Sequence, residues 1–461
     1  VLVTVTALIL AAGEGTRMKS GKPKVAHEVL GLPMIRYVVD AAVRGGCGRI
    51  LTVTGHKAEE VEAIVGDVSG FVRQEHQLGT GHAVMCAREA VSESGALIVL
   101  SGDIPLIRPE TIRKLAEARE SAGAAVALLT ARMKDPLGYG RIVRDDAGGV
   151  RAIIEEKDCT PEQRMTDEVN TGIYCFDAAS LLAHLNELST ANTQGEYYLT
   201  DMVGVFRAHG LGITAVQAAD VIEVMGVNTR LQLAQVTKAL QQRINHGLML
   251  EGVTMIDPDL VWVGPEVSVG CDVEIWPMTT LLGKTIVGDG AVLGPGVRAT
   301  DSVIKEGARV DASVLIGAEV GVDASVGPVA YLRPGAVLEA EAKAGTCVEI
   351  KNSTIGRGSK VSHLSYVGDA TVGTGVNIGA GTITCNYDGL TKHPTMIGDG
   401  AFVGSDTMFV APVKVGAGAL IGAGSVITRD VPDGALALER AEQKIIEGWV
   451  ARRRAGSGGR S

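Results

Sequence analysis

The sequence predicts two domains of unlike build: an α/β domain on a mostly parallel sheet, then a parallel β-helix of hexapeptide repeats. Three observations predict this. Residues 1–228 alternate short apolar runs with helix-like stretches, the pattern of an α/β sheet. After Gly252, aliphatic residues recur every six positions, the period of a hexapeptide solenoid. Glycine accounts for 60 of 461 residues and aromatics for 3 %. That composition would suggest low complexity, but the chain is 46 % hydrophobic and 21 % charged, so the glycines must serve regular structure.

In the first domain the strand candidates are Thr4–Ala11, Ile50–Thr54, Ala96–Leu100, Ala125–Thr130 and Ile173–Phe176, with helix-like segments Pro33–Arg44 and Ala58–Val65 between them. The apolar run from Val1 to Ala12 lacks a basic start and passes directly into Gly13-Glu14-Gly15. It reads as a buried strand feeding a glycine loop, not as a signal peptide. Ligands of such sheets sit beyond the carboxyl ends of the strands, where Gly13–Arg17 and Ser101-Gly102-Asp103 fall.

From 229 to 250, Val236, Leu240, Ile244 and Leu248 form one apolar stripe on a helix. Its position between two unlike patterns predicts a stiff connecting arm, spanning ~30 Å over about 20 residues. Beyond it, Ile397, Val403, Phe409, Val415, Ile421 and Ile427 fall at strict intervals of six, and Gly398, Gly404, Gly416 and Gly422 follow four of them. The beat also appears at Ile355, Val361 and Val367, then shifts to Val372 and Ile378, and it is ragged over 251–350. The polar stretch Asn386–Pro394 is unfit for a coil side and is predicted to be extruded as a loop. A helix-like segment is expected over Arg440–Trp449 and a frayed basic tail from Ala451 to Ser461.

Composition bounds the function. A net charge of −10 argues against nucleic acid or an anionic membrane surface as the main partner, but leaves small anionic substrates open. No apolar run approaches the ~18 residues of a membrane span. The seven cysteines are scattered and none forms a CxxC pair, which argues against zinc and redox motifs and fits a reducing cytoplasm.

The stretch Leu10-Ala11-Ala12-Gly13-Glu14-Gly15-Thr16-Arg17-Met18, followed by Lys22-Pro23-Lys24, is the most informative. Glycines after a strand let backbone N–H groups approach phosphate oxygens, and two cations behind them suit developing negative charge. Met18 replaces the third glycine of a dinucleotide fingerprint and no Gly-Lys-Ser/Thr follows. Taken alone, a tight turn with surface charges fits equally well.

With its neighbours, this stretch resembles the signature of sugar-nucleotide pyrophosphorylases. Further matches follow in order: Gln74 with Gln77–Ala83, Gly102-Asp103, Gly138–Arg141, Glu155, Asn170-Thr171-Gly172 and Gly226-Val227-Asn228. The repeat half adds Tyr331–Gly335, Val348–Lys351, His363–Tyr366 and Asn377–Tyr387. Together they resemble the bifunctional uridylyltransferase/acetyltransferases that make UDP-N-acetylglucosamine, from about residue 4 to 449. The resemblance implies a Rossmann-like nucleotidyltransferase domain over 1–228, a linker helix over 229–250, and a left-handed β-helix acetyltransferase domain with a short tail over 251–461. It implies UTP and acetyl-CoA as co-substrates, Mg²⁺ as metal, and glucosamine 1-phosphate and N-acetylglucosamine 1-phosphate as sugars. It also implies a homotrimer, no membrane and no nucleic acid.

The resemblance also distributes roles. Leu10, Ala11, Ala12, Gly13, Gln74, Gly79 and Thr80 would hold the uridine nucleotide, with Ser101 and Gly102 beside them. Gly140, Glu155 and Asn170 would hold the amino sugar. Asp103 and Asn228 would ligate Mg²⁺, a carboxylate and an amide oxygen that suit a hard cation, while Arg17 and Lys24 stabilise triphosphate charge. This half needs no general base, because its nucleophile is a phosphate already anionic, so His82 is expected to be structural. Acetyl transfer does need a base, and His363 would supply it. Arg333 and Lys351 would clamp the sugar phosphate, with Tyr366 and Asn377 on the sugar. Ala380, Asn386, Tyr387, Ser405, Ala423 and Arg440 would line the acetyl-CoA site, and Lys392 would reach a neighbouring chain's site.

One rival is a monofunctional sugar-1-phosphate nucleotidylyltransferase with a structural or regulatory β-helix. Enzymes of that kind have a longer spacing between the loop arginine and Pro-Lys, and need no Arg333, Lys351, His363 constellation. A second rival, a non-catalytic scaffold, is opposed by intact Arg17, Lys24, Asp103 and Asn228.

Overall fold

The computed structural model describes residues 5–457. The chain divides into two compact units between Arg243 and Ile244, within the helix Arg230–Leu250. The apolar stripe of that helix divides with it: Val236 and Leu240 are buried, whereas Ile244 and Leu248 pack on the core of the second unit.

The first unit is built on one sheet. In order across it lie Ile213–Gln217, Val126–Arg132, Glu168–Asp177, Ala96–Ser101, Val5–Leu10, Arg49–Thr54 and Gly70–Arg73. The pairs on Val5–Leu10 are parallel, as is Ile213–Gln217 with Val126–Arg132; Glu168–Asp177 runs antiparallel to both neighbours. Arg141–Arg144 and Val150–Ile154 form a hairpin off the main path. Of the predicted strand Thr4–Ala11, Thr4 lies outside the described residues and Val5–Leu10 is the strand. This strand is flanked by Arg49–Thr54 on one side and Ala96–Ser101 on the other. Strand order therefore reverses here, and a crevice opens at its carboxyl end. Apolar side chains of the sheet feed two cores, one on each face, as alternation demands: Ala7 and Ile9 enter one, Leu8 the other.

The second unit is a three-sided parallel β-helix. Among the described residues its faces carry eleven, ten and nine short strands. The hexapeptide repeat places it in the left-handed class. The six-residue beat marks the inward positions: Val403, Phe409, Val415 and Ile421 are fully buried in one continuous core. The raggedness of 251–350 has a simple origin. Glu274 pairs with Val292, Val292 with Arg309 and Arg309 with Ser325, so successive coils take 18, 17 and 16 residues. Corners shorten while the parallel ladder is kept. At the corners coils approach so closely that a Cβ on Gly404 would lie 2.5 Å from the Ala423 nitrogen.

Two expectations near the carboxyl end fail. Arg440–Trp449 is not helical; a helix runs over Trp449–Ser457 instead, where a frayed tail was expected. Over 440–448 every side chain is exposed, Ile445 and Ile446 included. A short helix there would bury no face, and such helices are marginal in water. The later helix stacks the Arg453 guanidinium on Trp449, 5.0 Å from its ring centroid. Residues 458–461 of the predicted tail lie outside the described residues.

Phe409 fills the β-helix interior and is fully buried. Phe409→Ala is expected to destabilise this unit by about 3–5 kcal/mol, read as a lowered midpoint for loss of β-sheet signal in chemical unfolding.

Candidate functional sites

The carboxyl end of Val5–Leu10 opens onto a cavity of about 300 Å³. Leu10, Ala11, Ala12, Gly13, Lys24, Gln74, Gly79, Thr80, Ser101 and Asp103 line it, as do Gln77 and Glu196. The glycine loop runs into one 3₁₀ turn, Thr16–Met18, and not into an α-helix. A Cβ at Gly13 would meet no atom within 4 Å, so the backbone stands open to the cavity. Gly79 has φ +104, and a side chain there would press within 2.6 Å of the Tyr197 carbonyl oxygen. Gln74, buried, donates to the Gly79 carbonyl (3.1 Å) and pairs with His82 Nδ1 (3.0 Å). His82 thus props a cavity residue from behind.

At the cavity wall, charges converge. The Lys24 ammonium bonds Asp103 Oδ2, and reaches Asn228 Oδ1 at 3.1 Å. Arg17 donates to the same Asn228 oxygen at 2.9 Å, and Ser101 Oγ to Asp103 Oδ1 at 2.6 Å. The backbone closes the arrangement, Val227 N–H to Asp103 C=O at 2.9 Å. A carboxylate and an amide oxygen turned onto one positive charge form the oxygen donor set a hard divalent cation takes.

Gly140, Glu155 and Asn170 form a second group that does not line this cavity. Asn170 N–H donates to the Gly140 carbonyl (2.8 Å), and its side chain donates to the Tyr174 hydroxyl (2.7 Å). Thr200 Oγ1 donates to Glu155 Oε1 at 3.3 Å. Burial pushes the Glu155 carboxyl up, assisted by Asp201, Asp158 and Glu196 and opposed by Thr200. Joining the two groups is a segment sequence reasoning overlooked, Glu196–Asp201. Its Tyr197 carbonyl accepts from Gly81, its Leu199 N–H donates to Thr80 Oγ1, and its Glu196 lines the cavity. Paired tyrosines between acids, in a chain so poor in aromatics, were the available signal.

In the β-helix, His363 ends the strand Lys360–His363 and is exposed. The corner after it turns through Leu364, at φ +45 and 66 % exposed, to Tyr366–Gly368 on the next face. Tyr366 stacks in register on Glu349, and Glu349 on Tyr331. Glu349 Oε1 accepts from Arg333 at 2.8 Å. Asn377 lies in register with Lys360, not with His363, and so sits earlier on the adjoining coil than the position that aligns with His363.

Lys351, Asp369 and Asn386 from three successive coils gather at one corner, with Lys392 of the following loop. Asn386 Nδ2 donates to Asp369 Oδ2 at 2.5 Å and Asn352 Nδ2 to Oδ1 at 2.6 Å. Burial pushes the Asp369 carboxyl up, but these amides and the charges of Lys351 and Lys392 outweigh it and hold it below the usual range. Lys392, expected to serve a neighbouring chain, lies beside Lys351 of its own chain, and that ammonium lowers its pKa. Asp369 was missed because corner aspartates at positive φ recur, at Asp272, Asp301, Asp323 and Asp406; no sequence feature separates it from them. The loop between Ile383–Cys385 and Thr395–Ile397 is extruded as predicted, bridged by Tyr387 to Lys392 and tied by Asp388 to His393. Ala380, Ser405 and Ala423 follow one another at one corner, each carbonyl taken: Ala380 by Asp406 N–H, Ser405 by Gly424 N–H, and Ala423 by Arg440 Nη1 at 3.2 Å.

Comparison with known proteins agrees with this division. Residues 7–168 match the MobA-like NTP transferase domain, and residues 394–429 match the six-repeat bacterial transferase hexapeptide. The chain is 52 % identical to "Bifunctional protein GlmU" of Heliobacterium modesticaldum, over 98 % of this chain and 99 % of that one. It is 51 % identical to the protein of the same name from Trichlorobacter lovleyi, over 97 % and 98 %. The corresponding figures for Streptomyces coelicolor are 49 %, 98 % and 95 %.

The raised Glu155 pKa has a consequence for stability. An acid whose folded pKa lies above its unfolded value binds more protons when folded. Stability then falls as pH rises from the ordinary carboxylate range through the folded pKa. Glu155→Gln removes this penalty, so the melting temperature of the variant minus that of wild type is expected to grow between pH 4 and pH 8. A difference independent of pH would contradict the assignment.

Proposed function

The chain belongs to the GlmU family of bifunctional proteins and is a uridylyltransferase and acetyltransferase, and from this premise we propose how its residues divide two consecutive steps of UDP-N-acetylglucosamine synthesis. The β-helix acetylates glucosamine 1-phosphate from acetyl-CoA, and the first unit joins the product to UTP. The observation that carries the reading is the convergence of Asp103 and Asn228 oxygens on one cation at the rim of a glycine-walled cavity.

In uridylyl transfer, a phosphate oxygen of N-acetylglucosamine 1-phosphate attacks the α-phosphorus of UTP. The bond to the bridging oxygen breaks and pyrophosphate leaves. The nucleophile is anionic from the start, so the chain's task is positioning and charge neutralisation. Leu10–Gly13, Gln74, Gly79 and Thr80 seat the nucleotide, with Ser101 and Gly102 fixing the Asp103 backbone and carboxylate. Gly140, Glu155 and Asn170 orient the sugar. Arg17 and Lys24 face the triphosphate. Asp103 and Asn228 would hold Mg²⁺, which supplies positive charge to phosphate oxygens when bound.

In acetyl transfer, His363 takes a proton from the amine of glucosamine 1-phosphate as its nitrogen attacks the thioester carbonyl, and the CoA thiolate departs. Two ammonium groups side by side, Lys351 and Lys392, repel each other and favour an anion between them. With Arg333 they suit the sugar phosphate. Tyr366 and Asn377 serve the sugar; Ala380, Asn386, Tyr387, Ser405, Ala423 and Arg440 serve acetyl-CoA.

A homotrimer is supported by exposed apolar ladders on the two faces that meet at the His363 corner. Phe402, Leu420 and Leu436 stack in register on one, and Ile383, Met408 and Val426 on the other. Except for half-buried Met408, these side chains are exposed. A neighbouring chain on these ladders would complete the acetyl site. Among the described residues, no helix is long and apolar enough to cross a membrane.

The proposal predicts separable losses. His363→Ala should cut CoA release by about 10²–10⁴-fold, while uridylyl transfer with supplied N-acetylglucosamine 1-phosphate stays at the wild-type rate. Asp103→Asn should do the reverse. Parallel loss of both activities in either variant would contradict two independent sites.

A further inference from the structure

His184, Glu187 and His209 belong to the first unit, do not line its nucleotide cavity, and are assigned no part in either reaction. His184 ends the helix Ala178–His184, Glu187 closes the following turn Leu185–Glu187, and His209 follows the helix Met202–Ala208. His184 Nδ1 is 2.7 Å from Glu187 Oε1, and His209 Nε2 is 3.0 Å from Oε2. The two imidazole centroids are 4.1 Å apart. One potential ligand atom from each residue lies within 4.8 Å of the other two. We propose that His184, Glu187 and His209 form a surface site for a borderline-soft divalent transition ion of the Zn²⁺ class.

The donor set decides the ion. Two imidazole nitrogens and one carboxylate oxygen are the ligands zinc takes, at ~2.0–2.2 Å. Mg²⁺ prefers all-oxygen sites, so this site and the Asp103–Asn228 pair select different ions. Tetrahedral ligation at those bond lengths sets ligand atoms ~3.4 Å apart. The observed 2.7 and 3.0 Å need only small outward rotations of exposed side chains. Glu187 and His209 are nearly half exposed, which leaves the fourth position open to water. His184 is the fixed member: its side chain is 22 % exposed and its ring meets the edge of buried Phe206 at 6.3 Å. The backbones that carry the ligands are anchored by Leu181, Leu185 and Phe206, all fully buried.

Sheet register places the site away from nucleotide chemistry. The helix bearing His184 begins after Asp177, which pairs with Ala96 at the amino end of Ala96–Ser101. His209 precedes Ile213, which pairs with Val126 at the amino end of its strand. The nucleotide cavity opens at the opposite, carboxyl ends. A bound ion would clip two helices together without touching the transfer machinery.

The test uses the full chain with thiols alkylated, since Cys271 and Cys347 are exposed, in excess Mg²⁺ to occupy oxygen sites. ZnCl₂ is titrated by calorimetry and CoCl₂ by visible absorption. The expected result is one equivalent of ion per chain, with a tetrahedral Co²⁺ spectrum. Both should be lost in the His184→Gln/His209→Gln variant at unchanged circular dichroism and unchanged uridylyl transfer. Glu187→Gln, which keeps both imidazoles, should bind at least about tenfold more weakly. Uptake of the same equivalent by the double variant, or no uptake by wild type, would overturn the proposal.

Discussion

One ammonium group, that of Lys24, meets oxygens carried by two distant stretches of chain: Asp103 beyond the strand Ala96–Ser101 and Asn228 at the approach to the long helix. Arg17 joins from the glycine loop. Three segments that share no local structure are thereby fixed at the point where strand order reverses. The geometry of the crevice depends on this charge balance. Asp103 is 6 % exposed, and a buried carboxylate without its cation would be costly. Positive charge is required here by the fold before it is required by phosphate chemistry.

The β-helix obeys a different constraint. Parallel coils keep a fixed strand spacing, so each coil delivers its corner residues to the same edge as the coil below. That repetition turns scattered sequence positions into columns: Ala380, Ser405 and Ala423 at one corner, and Tyr331, Glu349 and Tyr366 along one face. It also explains how an acetyl-transfer site is assembled with little helix or long-loop structure. Among the described residues of this unit, the one large extrusion, between Cys385 and Thr395, brings Lys392 beside Lys351.

Much of this was legible because it is periodic or locally encoded. The six-residue beat names the inward residues directly, and the strand–glycine loop–cation order names the crevice. What stayed hidden depends on tertiary juxtaposition. Nothing local to Glu196–Asp201 says that it bridges Thr80 and Glu155. Asp369 is one corner aspartate among several until Asn352, Asn386 and the two lysines close around it. The segment 440–449 misled for a complementary reason. Its composition suits a helix, but it has no surface on which to bury a face. The His184, Glu187, His209 cluster joins an i, i+3 pair, readable in sequence, to a residue from another helix, which is not.

The central claim is that one chain carries the residues for two consecutive transferase reactions. A drop-out assay on the unmodified protein tests it most directly, with glucosamine 1-phosphate, acetyl-CoA, UTP and Mg²⁺ supplied together or each withheld in turn. The account predicts CoA release that is indifferent to UTP. It predicts UDP-N-acetylglucosamine formation that stops without acetyl-CoA and resumes when N-acetylglucosamine 1-phosphate is added. Uridylyl transfer with no CoA release under any combination would contradict it, reducing the β-helix to a scaffold and removing the role given to His363.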